Sequence, residues 1–135
     1  MITPGITPGI VPNLGEMDRA SRLRGVRIWL ALAPADMRCG FDRLAALAQT
    51  LTGEDPLSGQ LFIFRGRSGD RLKILWWDRD GYALWYKRLE EGVFKLPRLE
   101  ADQTSLELRP SELAMLLEGI DLSSVKRLKR YVPRT

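Results

Sequence analysis

Histidine is absent from all 135 residues of the chain. Its absence excludes Ser-His-Asp and Cys-His nucleophilic sites, histidine general bases and histidine metal ligands. Cysteine occurs once, as Cys39, so no disulfide can form within the chain. A lone cysteine fits a reducing compartment, and we predict a cytoplasmic protein. We therefore expect a function that needs neither histidine chemistry nor crosslinks.

Long apolar runs are also missing. No segment approaches the roughly 20 apolar residues that a membrane-spanning helix needs. The first residues lack the basic segment and apolar core of a secretion signal. We therefore predict a protein without membrane association.

Positive charge is in modest excess and unevenly distributed. The formal net charge is +4 and the pI is about 9.6. Residues 60–98 hold nine Lys and Arg against five Asp and Glu, a net of +4. Residues 99–119 carry one Arg against five acids, and residues 120–135 carry five basic residues against one acid. A basic centre and a basic tail favour a nucleic-acid partner without requiring one.

The chain divides into three parts by composition. Residues 1–24 are rich in Pro and Gly, with ITPG twice in tandem, and we predict a disordered leader. Residues 25–121 are predicted to form a single domain, large enough to bury a core without metals or crosslinks. Residues 122–135 form a basic tail.

Several segments of the domain have the pattern of a regular element. Residues 40–51 place apolar side chains every three or four positions, which predicts an amphipathic helix. A second helix is predicted to follow Ser111 as its N-cap and to end near Gly119. Strands are predicted at residues 26–32, 60–65, 71–77, 82–88, 93–96 and 104–108.

The three central strands predict a meander. The connections at residues 66–70 and 78–81 are short, and short connections make neighbouring strands antiparallel. Asp80-Gly81 is a strong hairpin signal, since both residues tolerate a positive φ. The predicted fold is α+β: an antiparallel meander sheet of about four to five strands with two main helices packed on one face.

Eight motifs between residues 36 and 121 resemble one known family. They are DMR at 36–38, GFD at 40–42, LAAL at 44–47, DPLSGQLFIFRGR at 55–67, GDRLKILWWD at 69–78, GY at 81–82, WYKRLE at 85–90 and LLEGID at 116–121. Together they resemble the accessory protein of IS66-class insertion sequences, which is sometimes labelled TnpB and is unrelated to the RNA-guided nuclease of that label.

The resemblance implies a bacterial protein encoded beside a transposase that assists transposition. It supplies no catalytic residue and no cofactor, so we predict a protein that is not an enzyme. Four features depart from the family pattern. Cys39 stands where a lysine is usual, Leu96 and Leu122 stand where tryptophan is usual, and the Pro/Gly leader is atypical.

Basic and aromatic residues of the meander and the tail form the predicted DNA-binding surface. Arginines in a glycine-containing loop can hold phosphates, and alternation along a strand places Lys73 and Trp77 on one face. The alternatives are a mobile loop whose charge serves solubility, aromatic residues that fill the core, and a solvated tail. The candidate residues are Arg65, Arg67, Arg71, Lys73, Trp77, Lys87, Arg88, Lys126, Arg127, Lys129 and Arg130.

Two other functions are compatible with the sequence. A protein–protein adaptor would bind the transposase or a sister accessory protein through an exposed apolar patch near Trp77 or Trp85. A divalent-metal nuclease would need converging acids, but turn and helix positions explain Asp36, Asp42, Asp70, Asp78 and Asp80 without a metal. An exposed edge strand would also permit a homodimer. DNA binding is the first expectation and the adaptor is the alternative.

Overall fold

The computed structural model describes residues 26–97 and 102–119. The predicted leader and tail lie outside these residues. Five strands are described: β1 (Ile28–Ala31), β2 (Leu61–Arg65), β3 (Arg71–Asp78), β4 (Gly81–Arg88) and β5 (Ser105–Leu108). Two helices accompany them: α1 (Phe41–Thr52) and α2 (Pro110–Leu117). In the described part of the chain, no helix has the length and apolar character needed to cross a membrane.

The strands form one sheet in the order β4-β3-β2-β1-β5. The β2–β3 and β3–β4 pairs are antiparallel, which confirms the predicted meander. β1 is antiparallel to β5 but parallel to β2, with Ile28 opposite Leu61. The chain reaches β2 through α1, and such a crossover allows parallel neighbours to pair. The predicted α+β class is confirmed, with one parallel pair in a mostly antiparallel sheet.

The two helices pack on opposite faces of the sheet, so the predicted placement on one face is wrong. Leu44 and Ala48 of α1 pack against Phe62, Phe64 and Leu75, and this side is the α1 face. The other side is the α2 face, where Leu113 and Leu116 pack against Ile28, Leu30, Ile63 and Ile74. Consecutive residues of β2 are therefore buried on alternate sides, as in strands that are covered on both faces.

The β3–β4 turn differs from its prediction by one residue. Asp78 pairs with Gly81, so Arg79 and Asp80 are the two central residues of the turn. Arg79 has a φ of 59°, whereas neither Asp80 nor Gly81 has a positive φ. Gly81 is instead the first residue of β4.

The start of α2 and the predicted strand at residues 93–96 also need correction. Arg109 is the N-cap of α2, and its backbone N–H donates to Glu112 Oε1 at 2.8 Å. Pro110 follows in the first turn, where its missing N–H has no cost. Residues 93–96 form no strand. Phe94 is fully buried on the α2 face, and its N–H donates to Gly69 O at 2.8 Å.

Candidate nucleic-acid interface

Three backbone hydrogen bonds fix the end of β2 and the loop between β2 and β3 to the segments after β1 and β4. Ala35 N–H donates to Arg65 O at 2.9 Å, Leu89 N–H to Asp70 O at 2.7 Å, and Phe94 N–H to Gly69 O at 2.8 Å. Within the loop, Ser68 Oγ lies 2.5 Å from Asp70 Oδ1. This hydrogen bond is the main cause of the lowered pKa of Asp70. These hydrogen bonds hold the loop against its neighbours.

Two glycines allow this packing. A Cβ on Gly66 would lie 2.7 Å from Met37 Cγ, so the segment before α1 can approach closely only if residue 66 has no side chain. Gly69 has a φ of +84°, and a Cβ there would lie 3.2 Å from two carbons of Val93. The glycines thus bring the residues after β1, the loop and the segment after β4 together.

The predicted loop arginines differ in orientation. Arg67 is exposed, and Arg71 is half-buried, with its Nη1 3.4 Å from the Tyr86 hydroxyl. Arg65 is also half-buried, and its Nη1 donates to Phe94 O at 2.8 Å. Burial lowers the pKa of Arg65. Arg65 therefore supports the loop from the α2 face, while Arg67 and Arg71 line its outer side.

Arg67 and Arg71 line an open cleft of about 570 Å³, which we call the arginine cleft. Its lining is supplied by the loop, the first residue of β3 and the segment after β1. A third arginine, Arg38, completes a set of three guanidinium groups, against the single carboxylate of Asp36. The cleft is lined by Pro34, Ala35, Asp36, Met37, Arg38, Gly66, Arg67, Ser68 and Arg71.

Arg38 was not among the predicted candidates. Its Nε and Nη2 both bond the Asp36 carboxylate, with Nη2 2.8 Å from Oδ2. These hydrogen bonds, together with the Arg38 backbone N–H, hold the pKa of Asp36 well below its usual range. The carboxylate therefore stays ionised near neutral pH and orients the Arg38 guanidinium. The excess in the cleft is two positive charges, three guanidinium groups less one carboxylate.

Two further candidates lie beside the cleft at the same end of the sheet. Arg71 and Arg88 are directly opposed across β3 and β4, and like charges in this arrangement destabilise a sheet. Arg88 Nη2 is 3.1 Å from Glu90 Oε2. Lys87 is opposite Leu72 and extends from the α2 face. Arg67, Arg71, Lys87 and Arg88 form what we call the basic end of the hairpin.

Lys73 lies in the interior, although it was a candidate for contact with DNA. Only 6% of its surface is exposed. Its Nζ donates to Met37 O at 2.7 Å and Cys39 O at 2.9 Å, and lies 4.7 Å from the Tyr86 ring centre. Lys73 therefore holds the segment before α1 against the sheet, which positions Arg38 at the cleft.

Trp77 lies far from the arginines of the cleft. It shares the α1 face with Lys73, as predicted, but it stands at the opposite end of β3. It makes an edge contact with Tyr82, whose ring stacks on Phe41 with centroids 6.5 Å apart. Phe41, Trp77 and Tyr82 form what we call the aromatic end. Trp77 and the cleft arginines therefore lie at opposite ends of β3.

The remaining candidates provide no additional site in the described residues. Asp42 lies in the first turn of α1, and Asp78 and Asp80 lie at the β3–β4 turn. Residues 26–97 and 102–119 hold no group of three acids or cysteines placed to bind a metal. Cys39 is half-buried and free. The predicted tail contacts Lys126, Arg127, Lys129 and Arg130 lie outside the described residues.

Comparison with known proteins identifies relatives of this chain. The protein named "Uncharacterized protein y4hO" of Sinorhizobium fredii (strain NBRC 101917 / NGR234) is 45% identical over 98 residues, which cover 73% of this chain and 84% of that relative. "Uncharacterized protein y4jC" of the same strain is 38% identical over 104 residues, covering 77% and 87%. No solved structure matches the chain.

A family match covers all of the described structure. The family described as IS66 Orf2 like protein matches residues 26–127, which include both helices, all five strands and the arginine cleft. The identities to the two relatives extend over most of their lengths. The chain therefore belongs to the IS66 Orf2-like family of insertion sequence accessory proteins.

Proposed function

We propose that this protein is a non-catalytic accessory factor of insertion sequence transposition that binds DNA through the arginine cleft. One observation carries the proposal. Three guanidinium groups and one carboxylate line a single open cleft. Three backbone hydrogen bonds hold the loop that lines it and the adjoining end of β2.

The chemistry of the cleft suits a phosphate diester. A guanidinium group presents parallel N–H donors that match two phosphate oxygens. Arg67 lies in a loop whose backbone is held by hydrogen bonds, and Arg71 is the first residue of β3, so their positioning loses less entropy on binding. The Arg38 side chain is exposed, and its bonds to Asp36 orient its guanidinium group. A bound phosphate would also offset the repulsion between Arg71 and Arg88.

Flanking residues extend the proposed surface. Lys87 and Arg88 border the cleft on the two faces of β4. Arg65 is placed in a supporting role because its guanidinium bonds Phe94 O. The tail residues Lys126, Arg127, Lys129 and Arg130 are proposed from sequence alone as a second contact with the backbone of the duplex.

Binding to duplex DNA tests this proposal directly. We would titrate the full chain with a fluorescent duplex of the element's terminal repeat and with a random duplex, at low and physiological salt. We expect binding to both that weakens steeply with salt, because neutralised phosphates release counterions. Tighter binding to the repeat would indicate recognition of element ends. Absence of binding to either duplex at low salt would overturn the proposal.

The second candidate is an adaptor that binds the transposase or a sister accessory protein without touching DNA. The aromatic end favours it, because Phe41 is 48% exposed while it stacks on Tyr82. Aromatic residues with exposed area are common in the contact regions of protein interfaces. Capture of the transposase from cells that carry the whole element, lost in Phe41→Ser and kept in Arg67→Glu, would support the adaptor.

A further inference from the structure

We propose that two copies of this chain pair through β4, in antiparallel register about Leu84, to form one continuous ten-stranded sheet. The dimer is inferred from the edge of the sheet and does not depend on DNA binding. Its starting point is the position of β4 at one end of the strand order. Within the described residues, β3 is the only strand that pairs with it.

β4 has the properties of an edge that can accept another strand. It runs for eight residues, twice the length of β5 at the other edge. Its pairing with β3 is continuous from Asp78–Gly81 to Arg71–Arg88, so no bulge twists it away. It contains no proline. Natural proteins protect an edge with short strands, bulges, prolines and charged residues, and of these β4 has only the charged residues Lys87 and Arg88 at its end.

The charges at the two ends of β4 are complementary in an antiparallel pair. Its start follows the exposed acids Asp78 and Asp80, and its end carries the exposed bases Lys87 and Arg88. An antiparallel copy places the basic end of each strand beside the acidic turn of the other. A parallel copy would instead place bases beside bases.

Symmetry restricts the register. Directly opposed residues share a face of a sheet. A two-fold axis normal to the sheet keeps each face on its own side. The axis must therefore pass between one residue of β4 and the same residue of the partner, so that this residue lies directly opposite its own copy. When that residue is Leu84, Trp85 is opposite the partner's Ala83, Tyr86 is opposite the partner's Tyr82, and Arg88 is opposite the partner's Asp80.

The neighbouring registers are less favourable. An axis at Ala83 places Lys87 opposite the partner's Arg79, which sets like charges against each other. An axis at Trp85 places two tryptophans against each other and moves Arg88 away from the acidic turn. The register about Leu84 sets neither Lys87 nor Arg88 against another base, as the axis at Ala83 does, and it keeps Arg88 opposite an acid, as the axis at Trp85 does not.

The same register covers exposed aromatic surface. Tyr86 and Phe41 are each 48% exposed, and both lie on the α1 face. Phe41 stacks on Tyr82 within one chain, so Tyr86 would pack beside the partner's Tyr82 and the partner's Phe41. Two of the four large exposed apolar side chains in the described residues would be buried on each copy.

The pairing also sets the spacing of the arginine clefts. Leu84 is four residues from Arg88, so the two basic ends would lie roughly 27 Å apart along the strands at about 3.4 Å per residue. The cleft loops extend beyond them, towards the spacing of about 34 Å that separates equivalent positions one turn apart on DNA. The relevance of this spacing to DNA binding rests on the proposed function, whereas the dimer itself does not.

The mass of the full chain in solution is the first test. Sedimentation velocity over a range of concentrations should show a species of twice 15.3 kDa that dissociates on dilution. Leu84→Cys in a Cys39→Ser background should crosslink two chains on mild oxidation, since opposed Cα atoms are about 4.5–5.5 Å apart. The control Leu57→Cys, exposed outside the sheet, should not crosslink.

A charge exchange tests the register. Arg88→Asp and Asp80→Arg should each weaken the dimer by roughly tenfold or more, because each sets like charges together. The double variant should return the dimer constant to within about threefold of the original, which defines a coupled pair. Arg67→Asp carries the same charge change outside β4 and should leave the dimer constant unchanged.

The outcomes separate the two proposals. A mass of one chain at every concentration, or preferential crosslinking through Ala83→Cys or Trp85→Cys, would overturn the dimer in this register. Arg67→Asp that keeps the dimer but loses duplex binding supports both proposals. A dimer without duplex binding supports the β4 pairing and contradicts the DNA proposal.

Discussion

The two ends of the β3–β4 hairpin carry different chemistry on one rigid element. The basic end presents arginines around an open cleft, whereas the aromatic end presents Phe41, Trp77 and Tyr82 beside acidic residues. Seven strand steps, about 24 Å, separate Arg71 from Asp78. A ligand smaller than that distance can occupy only one end. Variants at one end can therefore be matched with variants at the other.

Removal of the buried ammonium group at the basic end should have the largest effect on stability. Lys73→Met leaves Met37 O and Cys39 O without their donor, and we expect a loss of about 2–3 kcal/mol in the free energy of unfolding. Urea unfolding measures it. Lys87→Met, an exposed control, should change stability by less than about 0.5 kcal/mol. Equal effects would show that Lys73 is no structural anchor.

A methyl group on the loop glycine should have the next largest effect. Gly69→Ala forces a side chain into a φ of +84° against Val93, and we expect a loss of about 1–2 kcal/mol. The matched control at the aromatic end is Gly81→Ala, where a Cβ meets nothing within 4 Å. Thermal unfolding of both variants would compare the two ends. Equal losses of stability in Gly81→Ala and Gly69→Ala would contradict the expected strain at residue 69.

Truncation at the aromatic end should change stability little. Phe41→Ala removes a half-exposed ring that stacks on Tyr82, and we expect a loss of roughly 0.5–1 kcal/mol. Affinity for duplex DNA should stay unchanged, because the cleft lies at the other end. Fluorescence anisotropy with a labelled duplex measures that affinity. A marked loss of DNA affinity would show that the aromatic end also takes part in DNA binding.

The smallest effect concerns acid stability at the cleft. The pKa of Asp36 is lowered in the folded protein, so its bonds to Arg38 contribute stability above the unfolded pKa and lose it as pH falls through the folded pKa. The stability difference between wild type and Asp36→Asn should be constant near neutral pH. It should shrink below about pH 4, the usual aspartate range. A difference that grows in acid would contradict the lowered pKa.

The meander was predictable because it depends on local signals. Short connections fix antiparallel neighbours, and the strands of residues 60–65, 71–77 and 82–88 appear within a residue of their predicted bounds. The placement of the helices on opposite faces was not predictable, because the face that a helix covers is set by packing between distant segments. One signal was present: the run Leu61–Phe64 is apolar at every position, as in strands covered on both faces.

The candidate site was predictable only in part, because some of its residues are neighbours in sequence and others come from distant segments. Arg67 and Arg71 belong to one hairpin, so their proximity follows from the sequence alone. Arg38 reaches the cleft through the contact between Ala35 and Gly66, which lie 31 residues apart in the chain. The burial of Lys73 depends on carbonyl groups at least 34 residues away. Alternation assigned Lys73 to a face but could not show what covers it.

Charge reversal at the two ends of the hairpin tests the central claim most directly. The double variant Arg67→Glu/Arg71→Glu is compared with Arg79→Glu, an exposed arginine at the far turn, in duplex titrations over a range of salt. We predict that the double variant weakens binding at least roughly tenfold and lowers the salt slope by about two. Arg79→Glu should stay near wild type. Equal losses of binding per reversed charge in the two variants would show that net charge, and not the arginine cleft, holds the DNA.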